Sequence, residues 1–231
     1  MKTRKNWRGI PGLGVTRRQA RRPRCQAPGA LLLGAGLLLA GLAGVAHAAE
    51  PVQRVAAAAP SPAPCPALLD RSLPRLQDEK PQNLCQYSGR VLVVVNTASF
   101  CGFTPQYRGL EALSRKYESR GLVVLGFPSH DFNQEPAGGQ EIAEFCENTY
   151  GVRFPMFMKS KVKADPKAAT PDPAVNPLYA DLARLSGEGP RWNFHKYLVA
   201  RDGHTVRSYG SRVDPQDPDF VRDVERLLDA K

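Results

Sequence analysis

Cysteine is scarce in this sequence and never occurs as a Cys-x-x-Cys pair. There are five cysteines among 231 residues. The missing pair excludes dithiol exchange within a single motif, which needs two thiols at the start of a helix. The absence is most informative in NTASFCGFTPQY (96–107), where Cys101 is followed three residues later by Thr104. Any disulfide chemistry at Cys101 therefore needs a thiol from elsewhere in the chain or from a partner.

Acidic residues are absent from the first 29 residues, which hold nine lysines and arginines. This basic head contributes +9 to the formal net charge of +10, so the rest of the chain is close to neutral. Nucleic-acid binding needs a basic face on the folded domain. We therefore predict no nucleic-acid partner.

The basic head precedes a glycine-rich apolar run that ends in Ala-His-Ala at 46–48. This order is typical of a secretory signal that a peptidase removes. We predict that residues 1–48 are an export signal and that the protein is periplasmic, with a retained membrane anchor as the alternative. A Pro/Ala linker at 49–64 and one folded domain at 65–231 are predicted to follow.

Two unbroken apolar runs, at 90–96 and 122–127, have the length and composition of central strands. Between them, Thr104 as N-cap and Pro105 as the first helical residue predict a helix that ends at Gly121. These three segments predict a β-α-β unit.

Further helices are predicted at 139–150, at 176–187 and around 220–228. A hairpin with Asp202-Gly203 at its turn is predicted before the last helix. A parallel unit followed by a late hairpin is the element order of a thioredoxin-like fold. We predict an α/β protein with a central mixed sheet flanked by helices.

Cys101 lies a few residues before a predicted helix N-terminus, where backbone N–H groups and the helix dipole lower the pKa of a thiol. Peroxide can oxidise such a thiolate to a sulfenic acid, which a second thiol then converts to a disulfide. The alternative is a buried, inert cysteine that contributes only packing.

Four segments resemble, in order, the signature segments of the glutathione peroxidase family in its cysteine-containing, thioredoxin-dependent form. They are NTASFCGFTPQY, GFPSHDFNQEP, EIAEFCENTYGVRFPMF and RWNFHKYLV. The resemblance implies that Cys101 is the peroxidatic cysteine and that Gln134, Trp192 and Asn193 complete a catalytic tetrad. Amide and indole N–H groups donate hydrogen bonds without bringing charge, and they stabilise both the thiolate and the departing oxygen. Taken singly, these three residues have ordinary alternatives as loop, core and turn residues.

Cys146 resembles the family's resolving cysteine, while Ser129 stands where many members have another thiol. Burial explains the position of Cys146 equally well, because it shares an apolar helical face with Ile142, Phe145 and Tyr150. If Cys146 resolves the sulfenic acid, its helix must loosen during turnover so that the two sulfurs can meet.

The resemblance implies an enzyme that reduces hydrogen peroxide and organic or lipid hydroperoxides and is recycled by a thioredoxin-like protein or glutathione. A non-enzymatic peroxide sensor using the same cysteines is the alternative. No cofactor is predicted, and a monomer is expected because the loop that builds tetramers in some members has no counterpart. His130, His195 and His204 lack metal-ligand spacing, so we predict surface or hairpin histidines and no metal site.

Cys65 and Cys85 remain once Cys101 and Cys146 are assigned and Cys25 leaves with the export signal. An even number of thiols in an oxidising compartment predicts a structural disulfide between these two. The alternative is two unpaired thiols in a loop.

Overall fold

The computed structural model describes residues 64–136 and 138–230. The predicted export signal and all but the last residue of the predicted linker lie outside these residues. Within the described ranges, no helix is both long and apolar enough to cross a membrane.

The main sheet has four strands in the order β4-β3-β5-β6. The central pair, β3 (Val91–Thr97) and β4 (Leu122–Pro128), is parallel. On the other side, β5 (Lys196–Val199) runs antiparallel to β3, and β6 (Val206–Tyr209) runs antiparallel to β5. This mixed sheet confirms the predicted fold class, including the late hairpin.

A separate two-stranded antiparallel sheet precedes the β-α-β unit and was not expected from the sequence. It pairs β1 (Ser72–Pro74) with β2 (Pro81–Asn83). Strands of three residues that contain proline are too short to show an alternating apolar pattern, so the sequence carries no signal for them.

Helices cover both faces of the main sheet. They are α1 (Gln106–Tyr117), α2 (Gly139–Tyr150), α3 (Pro177–Ser186) and α4 (Pro218–Asp229). Val91, Val93 and Val95 of β3 join a core with residues of α1, α2 and α4, whereas Leu92 and Val94 join a second core with residues of α3. Burial on both faces explains why β3 is an unbroken apolar run.

The ends of the helices mostly agree with the sequence, but the start of α1 does not. Asn176 caps α3 by accepting a hydrogen bond from the Leu178 N–H, as predicted. The prediction that Thr104 caps α1 is wrong, because α1 begins only at Gln106 and the Thr104 side chain makes no capping bond. Its hydroxyl turns back toward the loop that carries Cys101.

Candidate active site

Cys101 lies in the loop between the carboxyl end of β3 and the start of α1, and it is almost fully buried. The Thr104 hydroxyl donates to the Ala98 carbonyl at 2.9 Å and accepts from the Cys101 N–H at 3.1 Å. The Phe103 N–H points at the Cys101 Sγ from 3.4 Å. The loop is thus fixed on both sides of the thiol, and a backbone donor is already in place for a sulfur anion.

Gln134 and Asn193, which lie far apart in the sequence, are in direct contact beside this loop. The Asn193 Nδ2 donates to the Gln134 Oε1 at 2.8 Å, and the Gln134 carbonyl accepts from the Phe100 N–H at 3.1 Å. Because the side-chain oxygen of Gln134 is occupied by Asn193, its amide nitrogen is the group left to donate to a ligand. The structure therefore brings two of the four predicted tetrad residues together and attaches them to the segment that ends in Cys101.

Asn96 holds the segment that carries Asn193, a role that the sequence did not suggest. Its Nδ2 donates to the Trp192 carbonyl at 3.1 Å, its Oδ1 accepts from the His195 N–H at 3.1 Å, and its own carbonyl accepts from the Phe194 N–H at 2.7 Å. Phe194 has a left-handed φ of 60°, a conformation that costs a non-glycine residue free energy. These bonds from a central strand hold Phe194 in its left-handed conformation and thereby fix the position of Asn193 beside it. The only sequence signal was a polar residue at the end of the apolar β3.

Trp192 has its ring at the protein surface, and no described contact brings the ring to Cys101. Its side chain is partly exposed and makes a tilted contact with Phe132, with 5.4 Å between ring centroids. Phe100, next to Cys101 in the chain, is still more exposed. The structure fixes the Trp192 backbone through Asn96, while the indole ring contacts Phe132.

Glu135 is a second residue that sequence reasoning missed, although it follows Gln134 directly. It is fully buried, and its Oε2 accepts hydrogen bonds from the Ser99 N–H at 2.8 Å and the Ser99 hydroxyl at 2.9 Å. Burial raises the pKa of this carboxyl, against the opposing effect of its bonds to Ser99. Ser99 lies two residues before Cys101, so its bonds to Glu135 are a second connection between the segment of Gln134 and the loop that carries Cys101.

Cys146 lies on α2 and is buried in the same core as Cys101, and both are unbridged cysteines. Burial raises the pKa of the Cys146 thiol to about 11. At neutral pH Cys146 is therefore a thiol with low intrinsic reactivity. Burial on the apolar face of α2 was foreseen, and it leaves a resolving role dependent on movement of this helix.

Cys65 and Cys85 are joined by a disulfide, as predicted, with 5.2 Å between their Cα atoms. Cys85 lies in a short 3₁₀ helix immediately before β3. The bond connects the start of the described chain to the segment that enters the central sheet.

The histidines lie at the surface or at the hairpin, as predicted, but the burial of His195 was not expected. His130 and His204 are exposed, but His195 is fully buried beside β5. Its Nε2 is 2.9 Å from the Ser208 hydroxyl, which itself donates to Glu188. Since that hydroxyl has a single proton to give, the imidazole donates from Nε2. Burial lowers the pKa of His195 to about 4, so the ring is neutral at physiological pH.

The architecture is that of the thioredoxin-like proteins. A thiol:disulfide interchange protein of the thioredoxin family from Chlorobium tepidum superposes with a TM-score of 0.50 at 18% identity, covering 75% of this chain and 99% of that one. At this identity the likeness concerns the fold alone.

The family follows from the sequence relatives. The family model described as glutathione peroxidase matches residues 71–170. The glutathione peroxidase-like peroxiredoxin gpx1 of Schizosaccharomyces pombe is 44% identical over 156 residues, which are 67% of this chain and 95% of that protein. The hydroperoxy fatty acid reductase gpx1 of Synechocystis is 43% identical over 162 residues, covering 65% of this chain and 90% of that protein. The chain belongs to the glutathione peroxidase family.

Proposed function

We propose that this protein is a thiol peroxidase in which Cys101 reduces hydrogen peroxide and organic hydroperoxides. The observation that carries the proposal is the arrangement around one thiol: the Phe103 N–H faces the sulfur, and the Gln134–Asn193 amide pair is bonded to the same loop. The thiolate attacks one peroxide oxygen, the O–O bond breaks, and Cys101 becomes a sulfenic acid while the other oxygen leaves as water or an alcohol. Neutral donors favour this step because negative charge moves from sulfur to the departing oxygen.

In this proposal Cys146 resolves the sulfenic acid, and a thioredoxin-like protein or glutathione reopens the resulting disulfide. Its helix α2 is suited to the movement that this requires. Ile142 and Cys146 are the fully buried residues of α2, with Ala143, Phe145 and Tyr150 partly buried beside them, so opening α2 exposes fewer fully buried side chains than opening α1 would. The relatives named as a peroxiredoxin and a hydroperoxy fatty acid reductase support peroxide reduction and a substrate range that includes lipid hydroperoxides.

Export to an oxidising compartment and a monomeric state complete the proposal. The Cys65–Cys85 disulfide suits a protein that works outside the reducing cytoplasm. In the described part of the chain, the large hydrophobic side chains that are exposed are Phe100 and Trp192. Two side chains are too small an apolar surface for a permanent dimer.

Steady-state peroxide consumption with a thioredoxin donor tests the function. We expect repeated turnover by the wild type, none by Cys101→Ser, and a single oxidation without cycling by Cys146→Ser unless a small thiol is added. Thioredoxin-supported cycling by Cys146→Ser would remove Cys146 from the mechanism. One oxidation without turnover by the wild type would instead favour the alternative, a peroxide sensor.

A further inference from the structure

Lys196 is a fully buried basic residue that the proposed mechanism does not use. It is the first residue of β5, and alternation along the strand places its side chain on the same face as Leu198, which belongs to the core that contains Cys101. Burial lowers the pKa of Lys196 to about 7, against the charge of Asp214, which raises it. Keeping a basic group in this core costs free energy. An apolar residue would fill the same space without that cost, so the role of Lys196 lies in the bonds that it makes.

One of these bonds fixes the backbone next to Asn193. The Lys196 Nζ donates to the Phe194 carbonyl at 2.6 Å, and the Phe194 N–H donates to the Asn96 carbonyl at 2.7 Å. Both backbone polar groups of Phe194 are therefore bonded, in a residue whose φ of 60° is left-handed. Asn193 precedes Phe194 and donates to Gln134, so the position of this amide pair depends on the bonded Phe194 backbone.

The other bond reaches the start of α1. The Lys196 Nζ donates to the Gln106 Oε1 at 2.9 Å, and the Gln106 Nε2 donates to the Ser211 carbonyl at 2.8 Å. Gln106 is the first residue of α1, and its own N–H donates to the Phe103 carbonyl at 2.9 Å. The Phe103 N–H is the group that faces the Cys101 sulfur. Gln106 is therefore bonded to the turn that presents this donor.

We propose that Lys196 is a positioning residue for the oxidation of Cys101, because its two bonds keep the segment of Asn193 and the start of α1 at a fixed separation. The inference rests on the proposed function, in which Cys101 attacks a peroxide. Hydrogen-bond donors stabilise the departing oxygen only when they are held where that oxygen forms, and a displacement of about 1 Å can cost about a hundred-fold in rate. Lys196 acts on these donors through Phe194 and Gln106 rather than on the reacting atoms.

Two reactions of Cys101 in the full-length protein separate positioning from general packing. Oxidation by hydrogen peroxide uses the donors for the departing oxygen, whereas alkylation by iodoacetamide expels iodide and does not. A change in the ionisation or accessibility of the thiol affects both reactions. The ratio of the two second-order rate constants at one pH therefore reports on the donors. Stopped-flow kinetics give the oxidation rate constant, and mass spectrometry of the alkylated Cys101 peptide gives the other.

The test variants remove the two ends of the bond between β5 and α1. Lys196→Met keeps an unbranched side chain without its donors, and Gln106→Met removes the acceptor on α1. Leu198→Ala is the matched control, because Leu198 is fully buried on the same strand and in the same core. It lowers stability through lost packing and leaves the bonds of Lys196 in place.

We expect Lys196→Met to lower the ratio of oxidation to alkylation about a hundred-fold and Gln106→Met to lower it about ten-fold, while Leu198→Ala stays within about two-fold of the wild type. The double variant should lose little more than Lys196→Met alone, because the bond between the two side chains is already absent. A loss in Lys196→Met no larger than that in Leu198→Ala would overturn the inference. Losses that multiply fully in the double variant would show that the two residues act independently and would overturn it as well.

Mass mapping of the wild type after treatment with equimolar peroxide separates this inference from the proposed function. If Cys101 is not the oxidised residue, the proposed function fails and the inference fails with it. If Cys101 is oxidised while both test variants keep the wild-type ratio, only the role of Lys196 is wrong. Should Lys196→Met fail to fold, the ratio in Gln106→Met decides the outcome.

Discussion

Asn193 determines how Gln134 presents its amide to a peroxide. It is completely buried, and its Nδ2 occupies the Gln134 side-chain oxygen at 2.8 Å. An amide fixed in this way is a preorganised donor, whereas a mobile one must be ordered during the reaction. The orientation of the Gln134 amide therefore depends on a contact between two side chains that lie 59 positions apart in the sequence.

We predict that Asn193→Ala slows the oxidation of Cys101 by roughly ten- to a thousand-fold, the scale of losing one preorganised donor. Stopped-flow measurement of the first oxidation checks this, because that step does not involve Cys146. Asn176→Ala, which removes a buried asparagine at the start of α3, is the control for general destabilisation. Equal oxidation rates in wild type and Asn193→Ala would show that Asn193 only fills space.

His195 makes the stability of the protein sensitive to acid. Its pKa is about 4 in the folded protein and about 6.5 in the unfolded chain. Between these values the unfolded state binds the extra proton, so stability falls as pH decreases from 6.5 to 4 and is fully restored above 6.5. A shift of this size corresponds to about 3 kcal/mol.

We predict that the loss of unfolding free energy between pH 7 and pH 4 is about 3 kcal/mol smaller in His195→Gln than in the wild type. Urea unfolding at several pH values measures the difference, and the comparison concerns the pH dependence, since the substitution also alters the contact with Ser208. His204→Gln is the control at an exposed position. Parallel curves for wild type and His195→Gln would contradict the assignment.

At the scale of secondary-structure elements, the two ends of the stability range differ. The disulfide stabilises the start of the domain, whereas α2 has few buried side chains. The disulfide closes a loop of 20 residues ahead of β3. By contrast, α1 and α2 have the same length but differ in burial. Six side chains of α1 are buried and only two of α2: Gln106, Tyr107, Leu110, Glu111, Leu113 and Tyr117 against Ile142 and Cys146.

Replacing both Cys65 and Cys85 by serine should lower the unfolding free energy by about 3 kcal/mol, the chain-entropy value for a loop of this size. Denaturant unfolding of the double variant, beside the reduced and oxidised wild type, provides the measurement. The rate of Cys101 oxidation serves as the internal control, because the bond lies away from the peroxidatic loop. An unchanged midpoint would mean that the bond contributes nothing to stability.

Hydrogen exchange should show that α2 opens more readily than α1. We predict that amides in the middle of α2 exchange at least about ten-fold faster than those in the middle of α1, because fewer buried contacts are lost when α2 unfolds. Exchange of the reduced protein followed by mass spectrometry or NMR checks this. Equal protection in the two helices would argue against a resolving step that depends on opening α2.

At the scale of the whole molecule, the predicted export signal bears on where the protein works. The basic head, the apolar run and the Ala-His-Ala segment at 46–48 belong to the part of the chain outside the described residues, so export remains a prediction from sequence. A structural disulfide is compatible with it.

We predict that the protein recovered from the periplasm of a Gram-negative host begins at Ala49, because the small residues at 46 and 48 fit a signal peptidase site. N-terminal sequencing of that fraction is the measurement. Ala46→Asp combined with Ala48→Asp should block processing, whereas Ala57→Asp in the linker should not. Recovery of an unprocessed wild-type chain in the membrane fraction would favour the anchor instead.

The sequence by itself determined most elements of the main sheet and its helices, though not β1, β2 or the start of α1. Apolar runs and helix signals depend on neighbouring residues, so they predicted β3, β4, the bounds of α2, the cap of α3 and the hairpin of β5 and β6. The pairing of Cys65 with Cys85 was predicted from the even number of thiols after the export signal, once the family resemblance had assigned Cys101 and Cys146.

Only the tertiary structure decided the contacts between distant segments. It turned the Thr104 hydroxyl toward Ala98 and Cys101, joined Asn193 to Gln134, and buried His195. None of these contacts follows from the local sequence pattern. A polar residue in a loop or at a strand end has the same sequence signal whether its side chain is exposed to water or bonded to another buried side chain. Which of the two occurs is set by how strands and helices pack, and that packing is a property of the whole chain.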